Sequence, residues 1–302
     1  MNLDLFLLCA GKGERLRPLT DVTPKPLLTL LGKSLADRAL EACASLPLRS
    51  RVLNAHHLAP QVQVFANERK FDHLQMEPVL LDSGGALAKA FSGRKLQAAH
   101  VLAHNGDILH EIDLEAAWKA HLDSGSDITL VMVDVPRVNT VLVNGEHFGG
   151  VIGHPACPAE VEGTRRLTFS GIAFYRTILF QGCSSRPWTI KDLWHKAAFE
   201  QGRKVVCWEA PKDVFWEDCG VPQDLARAAF HLLAKTGATQ WIDPTAKVSV
   251  DAELGEQVIV EAGAWVDARS LTSHCLVQPG ARVAMGEKIT HLVRNAGGDA
   301  SW

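Results

Sequence analysis

The 302-residue sequence has no long hydrophobic stretch, no excess of one charge and no paired spacing of its cysteines. Its longest apolar runs, such as Leu5–Ala10, span about six residues, whereas a membrane-spanning helix needs about 18. We do not expect a signal peptide at the N-terminus, because Asp4 stands where a basic region would be and the apolar run is short. The sequence therefore predicts a protein without a membrane segment.

The charges nearly cancel, with 31 Lys+Arg against 34 Asp+Glu and a net charge of -3. No basic face for nucleic acid is indicated, so any bound phosphate must meet a local site. The seven cysteines favour reduced thiols over a disulfide framework, and the 47% of hydrophobic residues can form a sizeable core. We therefore expect a soluble, cytoplasmic protein that binds neither nucleic acid nor membranes.

Before about Trp241, short apolar runs alternate with amphipathic stretches. The run Leu3–Cys9 is nearly continuous, which is typical of a strand buried on both faces. The further predicted strands are 51–54, 78–81, 100–104 and 128–133, and the clearest predicted helices are 34–46, 113–122 and 221–234. This alternation predicts a layered α/β domain over residues 1–240 with a mostly parallel sheet. Its site should lie beyond the carboxyl ends of the strands.

From Trp241 onward, apolar residues recur every six positions. The first series is Ile242, Val248, Leu254, Val260 and Val266, and after a slip of one the series continues at Leu271, Val277, Val283 and Ile289. This period predicts a short left-handed β-helix over residues 241–292, with roughly three coils that bury their apolar corners against one another. The alternative is a few β-hairpins on the main domain. Residues 293–302 are expected to form a frayed tail.

A glycine loop follows the first predicted strand. Gly11 and Gly13 let backbone N–H groups approach an anionic phosphate without interference from a Cβ atom. Arg15 and Lys25 add two cations near the same strand end, and two prolines restrict the backbone around Lys25. Neither the dinucleotide fingerprint nor the P-loop pattern is complete. The loop therefore indicates a phosphate site, with a tight turn as the structural alternative.

The loop is part of a longer pattern that resembles one enzyme family. Gly11-x-Gly13-x-Arg15-x-x-Pro18-Leu19-Thr20, followed by Pro24-Lys25-Pro26-Leu27, is similar to the signature of the nucleoside-diphosphate-sugar pyrophosphorylases, the sugar-1-phosphate nucleotidyltransferases. Later blocks of the family are matched in order by 54–58, 82–86, 104–109, 168–172 and 216–220. The resemblance spans about residues 3–233 and includes the N-acetylmuramate-1-phosphate uridylyltransferases and the mannose-1-phosphate guanylyltransferase-like proteins. Cys9, Ser83 and Glu217 depart from the usual Ala, Thr and aliphatic residue, but no charged group is lost.

The resemblance implies a Rossmann-like, three-layer α/β nucleotidyltransferase domain with a mixed, mostly parallel sheet. It also implies Mg²⁺-dependent transfer of a nucleoside monophosphate from a nucleoside triphosphate, with UTP or GTP favoured, to a sugar 1-phosphate. Such in-line transfer depends on positioning and charge neutralisation. The implied residues are Arg15, Lys25 and Asp107 for catalysis; Ala10, Gly11, Gly13, Asn54, Ser83 and Gly84 for the nucleotide; Gly171 and either Glu160 or Glu162 for the sugar phosphate; and Asp107 and Asp218 for the metal.

Asp107 and Asp218 are both expected at strand ends on the loop side of the sheet. Two carboxylates held close together repel each other unless a cation sits between them. Mg²⁺ suits such a pair, because it takes few protein carboxylates together with phosphate and water oxygens. The structural alternative is that each aspartate caps a turn or a helix. A separation above ~8 Å would exclude one shared ion.

Two other functions fit parts of the sequence. One is a catalytically silent, sugar-nucleotide-binding regulatory subunit, against which the joint retention of all four charged site residues argues. The other is a hexapeptide acyltransferase, which needs a longer coil and a coil-edge histidine, whereas this short coil offers His274 and His291. We expect the coil to serve as a homo-oligomerisation surface instead. The product is expected to feed the synthesis of cell-wall or polysaccharide precursors.

Overall fold

The computed structural model describes residues 3–302. Its helices are α1 Leu19–Val22, α2 Leu35–Ala42, α3 Ala59–Glu68, α4 Asp82–Ser92, α5 Leu114–Ser124, α6 Ile190–His195 and α7 Pro222–Lys235. The strands before the coil are β1 Leu3–Leu8, β2 Thr29–Leu30, β3 Lys33–Ser34, β4 Leu48–Ala55, β5 His73–Met76, β6 His100–Asn105, β7 Ile108–His110, β8 Ile128–Val133, β9 Val141–Asn144, β10 His147–Val151, β11 Arg165–Arg176, β12 Val205–Glu209 and β13 Trp216–Asp218. The strands that follow are β14 Gln240–Ile242, β15 Lys247–Val248, β16 Glu253–Leu254, β17 Val258–Val260, β18 Trp265–Val266, β19 Leu271–Val277, β20 Arg282–Val283, β21 Lys288–Asn295 and β22 Gly298–Ser301. None of the helices in this described range is long and apolar enough to cross a membrane.

Within residues 3–302 the largest sheet has nine strands in the order β5-β4-β1-β6-β11-β8-β12-β10-β9. The strands from β5 to β6 pair in parallel, and so do β8 and β12. The long strand β11 runs antiparallel to both β6 and β8, and the β9–β10 hairpin extends the far edge. The fold is therefore the expected mixed α/β arrangement, although its sheet carries more antiparallel pairing than expected.

Both faces of β1 are covered, which explains its continuous apolar sequence. Leu3 and Leu5 are fully buried in a cluster with Trp118 of α5. Phe6 points to the other face and packs in a cluster with Leu87 of α4. A leucine or phenylalanine side chain buried in this way contributes about 1.5–3 kcal/mol to stability. Helices on both sides of the sheet give the three expected layers.

The predicted helices 113–122 and 221–234 are confirmed as α5 and α7, and the one predicted at 34–46 is confirmed as α2 but ends at Ala42. Ser34 caps α2 by accepting a hydrogen bond from Asp37 N at 3.0 Å, while the Asp37 carboxylate accepts one from Ser34 N at 3.2 Å. The predicted strand at 78–81 is wrong, because the strand in this region is β5. Pro78 has no N–H to donate to a sheet, and the segment turns instead toward α4.

The C-terminal strands from β14 to β21 pair in parallel, whereas the strands of β-hairpins would pair antiparallel. Gln240 pairs with Val258, Val258 with Cys275, and Cys275 with Leu292, so each turn of the chain adds one strand to the same sheet. The strands β15, β18 and β20 form a second parallel stack, and β16, β19 and β21 pair in the same way. The left-handedness of this coil stays a prediction.

Two details of the expected coil were wrong. Leu254 pairs with Thr272, which is buried, whereas Leu271 is exposed, so the six-residue spacing continues past 266 and slips only afterwards. The left-handed backbone of His274, with φ of 50°, lies at that later slip. The tail is not frayed either, because β22 pairs antiparallel with the end of β21 and the Trp302 ring packs 6.1 Å from that of Phe230.

Candidate active site

Three cavities of about 590, 460 and 240 Å³ meet beyond the carboxyl ends of β1 and β6. Gly11 and Asp107 line the first and the second cavity. Gly171 and Lys191 line the first and the third, and Arg15 lines the second and the third. The three cavities therefore form one branched cleft, at the sheet edge where the site was expected.

The glycine loop forms the floor between the first two cavities. Ala10 lines the first cavity, and Gly11 faces open space, since a Cβ at Gly11 would meet nothing within 4 Å. Gly13 has a φ of 64°, and its carbonyl accepts a hydrogen bond from Thr20 Oγ1 at 2.9 Å. A Cβ at Gly13 would lie 2.8 Å from Thr20 Cγ2, so both backbone conformation and space require glycine there.

Asn54 lines the first cavity, but both ends of its amide are already bonded within the protein. Its Oδ1 accepts a hydrogen bond from Cys9 N at 2.8 Å, and its Nδ2 donates to Glu77 Oε1 at 2.9 Å. The side chain is buried and holds the end of β1, from which the glycine loop starts. The geometry of Asn54 is thus that of a support for the loop.

Lys25 is a buried cation that lines the second cavity. Its Nζ donates to Asp107 Oδ2 at 2.6 Å and to Asp218 Oδ1 at 3.1 Å. Burial lowers the pKa of Lys25, but the two carboxylates together raise that pKa above its ordinary value. Lys25 is therefore charged over the whole physiological range, and its ammonium is the cation between the two aspartates.

The pairing of β7 with β13 brings Asp107 and Asp218 together. Asp107 precedes β7, Asp218 ends β13, and Asp218 lies opposite Ile108 in the antiparallel register. Because both carboxylates contact one Lys25 nitrogen, their nearest oxygens are at most about 6 Å apart, inside the ~8 Å limit for a shared ion. Within residues 3–302 no group of three or more His, Cys, Asp and Glu side chains is arranged to hold a metal.

Arg15 completes the charged group at the edge of the cleft. Its Nη2 lies 3.9 Å from Asp218 Oδ2, and 67% of the side chain is exposed. Gly220 leaves room for the guanidinium, since a Cβ there would lie 2.5 Å from Arg15 Nη2. The structure thus brings Arg15, Lys25, Asp107 and Asp218 into one cluster.

The structure does not bring Gly84 to the cleft surface. Ser83 and Asp82, at the start of α4, line the first cavity, and Ser83 Oγ accepts a hydrogen bond from Ile190 N at 3.2 Å. Gly84 is buried and its N–H donates to Trp188 O at 3.1 Å. A Cβ at Gly84 would lie 2.3 Å from the Trp188 ring, so this glycine serves the packing of the helix start.

The two predicted sugar-phosphate residues lie in different places. Gly171, with a φ of 87°, lines the junction of the first and third cavities, and a Cβ there would lie 2.8 Å from Asn105 Nδ2. Glu160 lines none of the three cavities and is bound on the surface by Arg166 at 2.6 Å. Glu162 is also exposed and outside the cleft. Both glutamates therefore lie outside the cleft, on the surface of the loop between β10 and β11.

Two cations of the cleft that lie outside the glycine loop were missed by the sequence reasoning. Lys191 opens α6 and lines both the first and third cavities, and Arg137 lines the third. Arg137 also binds the buried carboxylate of Glu217, which Arg227 Nε reaches at 2.8 Å. The two arginines thus compensate for the buried charge of Glu217. No motif marks these residues in the sequence.

A pair of buried histidines supports the segment that carries Asp107. His104 Nδ1 donates to Asn105 O at 2.7 Å, and the two Nε2 atoms of His104 and His110 are 2.9 Å apart. Ile112 N donates to His110 Nδ1 at 3.1 Å. Burial lowers the pKa of His104 to about 4 and that of His110 to about 3, so both rings are neutral at pH 7.

Comparison with known proteins agrees with this geometry. Residues 6–145 match the nucleotidyl transferase family. The chain is 32% identical over 184 residues to N-acetylmuramate alpha-1-phosphate uridylyltransferase of Neisseria meningitidis serogroup B. The alignment covers 59% of this chain and 77% of the relative. It is 24% identical over 298 residues to mannose-1-phosphate guanylyltransferase of Mycobacterium tuberculosis, which covers 97% of this chain and 79% of the relative. The crystal structure of HddC from Yersinia pseudotuberculosis has a TM-score of 0.59 at 19% identity and covers 76% of this chain and 99% of that chain.

The family match and the relatives therefore identify an enzyme of nucleotidyl transfer. The chain belongs to the nucleotidyl transferase family, as the resemblance of its glycine loop and later motifs indicated. The structural likeness to HddC supports the same mixed α/β fold.

Proposed function

We propose that the protein transfers a nucleoside monophosphate from UTP or GTP to a sugar 1-phosphate, with release of pyrophosphate. The observation that carries the proposal is the buried Lys25 ammonium, which lies between two carboxylates and lines the second cavity. The names of the Neisseria and Mycobacterium relatives support the substrate class, since one is a uridylyltransferase and the other a guanylyltransferase of sugar 1-phosphates.

In the proposed reaction a phosphate oxygen of the sugar 1-phosphate attacks the α-phosphorus of the triphosphate. The new O–P bond forms as the bond to the β-phosphate breaks, and pyrophosphate leaves with the electron pair. Gly11 and Gly13 supply backbone N–H groups to the phosphates, Lys25 bridges the α-phosphate and the sugar phosphate, and Arg15 stabilises the leaving group. The attacking oxygen is already anionic, so no general base is required.

Asp107 and Asp218 would hold Mg²⁺ in this proposal. Their half-buried carboxylate oxygens converge on one cation already, and oxygen is the donor that Mg²⁺ prefers. Two protein ligands leave room for phosphate oxygens and water, which is the usual way this ion is bound in phosphoryl transfer. The ion would supply neutralising charge to the triphosphate and to the leaving pyrophosphate.

The three cavities suggest an assignment of substrate parts. The 590 Å³ cavity, beside Ser83 and Asp82, would hold the nucleoside, and the 460 Å³ cavity, beside Gly13 and Arg15, the triphosphate. The 240 Å³ cavity beside Gly171 would hold the sugar. A nucleotide-sugar made here would serve as a precursor for cell-wall or polysaccharide synthesis in the cytoplasm.

We further propose that residues 1–240 form the catalytic domain and that residues 241–292 form a left-handed β-helix through which copies of the chain associate. The stacked parallel strands support the coil, and exposed apolar side chains such as Val250 and Met285 support an association surface. The stacked pair His274 and His291 lies on this coil, but a coil of about three turns is short for an acyltransferase.

A matrix of four nucleoside triphosphates against a panel of sugar 1-phosphates, with Mg²⁺ present, tests the proposal through pyrophosphate release. Release that requires both substrates, with UTP or GTP as donor, is the expected result. Binding of a nucleotide-sugar without release in any combination would favour a silent regulatory subunit. The clustering of Arg15, Lys25, Asp107 and Asp218 argues against that outcome.

A further inference from the structure

The C-terminal coil packs one face against the catalytic domain. Ile259, Leu276 and Val293 are opposite one another in successive coils and form an apolar row on that face. All three are fully buried, in one cluster with Leu28 and Leu30 of the catalytic domain. The apolar row supplies the non-directional part of the attachment.

A second row of side chains lies beside the apolar row, two residues further along each coil. This polar row consists of Glu261, Gln278 and Asn295, which are 0%, 2% and 7% exposed. Burying polar groups costs free energy unless they are hydrogen-bonded, so the polar row needs partners across the interface. Backbone groups of the catalytic domain supply a partner to each of the three side chains, while Glu261 Oε1 is left without one.

The partners lie on both sides of Lys25 in the chain. Before it, Asn295 Nδ2 donates to Leu19 O at 2.7 Å. After it, Gln278 Oε1 accepts from Thr29 N at 3.0 Å, and Gln278 Nε2 donates to Thr29 O at 2.9 Å. Gln278 thus binds Thr29 in the manner of a neighbouring strand.

The polar row extends the same contact to the β2–β3 turn. Glu261 Oε2 accepts a hydrogen bond from Gly32 N at 2.9 Å. At the other end, Gly297 approaches Pro18 so closely that a Cβ would lie 2.6 Å from Pro18 O. The coil therefore contacts both ends of segment 18–32, which contributes no strand to the nine-stranded sheet and pairs only within the β2–β3 hairpin.

We propose that Glu261, Gln278 and Asn295 are positioning residues for Lys25. By binding the backbone on both sides of the lysine, they hold its ammonium in place against Asp107 and Asp218 before any substrate arrives. Supporting contacts of this kind matter because a displacement of about 1 Å at a reacting group can cost up to ~10²-fold in rate. The inference rests on the catalytic role proposed for Lys25.

The substitution Gln278→Ala tests this proposal in the full-length protein. It leaves the N–H and C=O groups of Thr29 without their partner, while the apolar row is unchanged. Gln240→Ala is the matched control, since the Gln240 amide donates at 2.8 Å to the carbonyls of Leu254 and Gly255 inside the coil. The two variants remove similar hydrogen bonds from the same coil, but only one of them touches segment 18–32.

Two measurements are compared between these variants. In the substrate-free protein, amide hydrogen exchange over residues 18–32 should become faster in Gln278→Ala and stay unchanged in Gln240→Ala. In pyrophosphate release with both substrates titrated, Gln278→Ala should lower kcat about tenfold and raise KM for the triphosphate only about threefold. The control should keep its kcat.

Glu261 offers a second test that does not depend on the folding of Gln278→Ala. Glu261→Ala removes the acceptor for Gly32 N and should lower kcat, whereas Glu261→Gln keeps an acceptor and should restore it. An active wild-type protein whose Gln278→Ala variant keeps its kcat, or loses no more than Gln240→Ala does, overturns the inference alone. Equal kcat values in Glu261→Ala and Glu261→Gln also overturn it. A wild-type protein that releases no pyrophosphate overturns the proposed function and this inference with it.

Discussion

Lys25 Nζ lies 2.6 Å from Asp107 Oδ2, and only 8% of the lysine side chain is exposed. Removing an ammonium from water costs several kcal/mol, and the carboxylate offsets part of this cost. The ion pair therefore places a charged lysine in the cleft before a substrate is bound. Phosphate oxygens that approach the Lys25 ammonium would compete with the two aspartates for it. The interaction of the carboxylates with the ammonium then weakens, and binding of a second cation beside them becomes favourable. This exchange of partners connects the lysine, the aspartates and the proposed metal.

The metal proposal predicts the effect of neutralising either aspartate. Asp107→Asn or Asp218→Asn should lower activity at least about a hundredfold, because charge stabilisation of this kind contributes several kcal/mol. Each change should also raise the Mg²⁺ concentration needed for half-maximal rate, measured by titrating Mg²⁺ in a pyrophosphate-release assay. Asp251→Asn, at an exposed position of the coil, is the control. A variant with unchanged Mg²⁺ dependence would contradict the site.

Arg15 should act on the leaving group and contribute little to the fold. Its side chain is 67% exposed, so Arg15→Ala should leave the melting temperature unchanged. Loss of a preorganised cation at the departing pyrophosphate should lower turnover by about 10²–10³-fold. Arg17→Ala removes an exposed arginine that pairs with Asp21 and serves as the control. An Arg15→Ala enzyme within tenfold of the wild-type rate would refute the role.

Two glycines should respond in opposite ways to the addition of a methyl group. At Gly84 a Cβ would lie 2.3 Å from the Trp188 ring, so Gly84→Ala should lower stability by about 1–3 kcal/mol. At Gly11 nothing lies within 4 Å, so Gly11→Ala should fold normally but raise KM for the triphosphate, because the methyl group projects into the cleft. Urea unfolding and substrate titration of both variants measure the two effects. A destabilised Gly11→Ala protein with normal KM would be the wrong outcome.

Glu261 should make stability depend on pH. Burial raises the pKa of Glu261 to about 7, while the unfolded chain has the ordinary value of 4.5. Between pH 4.5 and about 7 the folded protein therefore holds a proton that the unfolded chain releases. The contribution of Glu261 to the free energy of unfolding is complete below pH 4.5 and is lost as the pH rises through 7. The negative charge of Asp243 also raises the pKa of Glu261. Arg38, across the interface, attracts the ionised form of Glu261.

The neutral substitution Glu261→Gln should remove this dependence. Relative to wild type, the free energy of unfolding of Glu261→Gln should increase between pH 5 and pH 8 by up to about 3 kcal/mol. Because both proteins share all other titrating groups, including the buried histidines, the difference isolates Glu261. Glu256→Gln, at an exposed position of the same coil, should show no such change. Parallel stability curves for wild type and Glu261→Gln would rule out the buried titration.

The charged cluster could be predicted from the sequence because its members belong to motifs with fixed local spacing. The β7–β13 pairing, which brings Asp107 and Asp218 to the same Lys25 ammonium, could not be predicted from local spacing. The burial of Gly84 could not be predicted, because the local pattern shows a small residue but not the distant Trp188 that packs on it. For Glu160, likewise, the sequence shows an acidic side chain in a loop but not that Arg166 binds it on the surface.

The polar row escaped the sequence reasoning for a different reason. The six-residue period marks the positions that point into the coil, such as Val260 and Val277. Gln278 comes directly after one of these positions and points outward. An outward polar residue on an isolated coil would meet water, so nothing in the period distinguishes it from a solvated surface residue. The presence of the catalytic domain on that face gives Gln278 its partner.

The attachment of the coil on both sides of Lys25 has a thermodynamic consequence. If a docked coil favours phosphate binding at Lys25, then phosphate binding must favour the docked coil by the same free energy. Binding in the cleft thereby stabilises the docked position of the C-terminal coil, although the coil itself contacts no substrate. A saturating triphosphate should slow hydrogen exchange in the coil face that carries Gln278, and the far domain becomes a reporter of nucleotide binding.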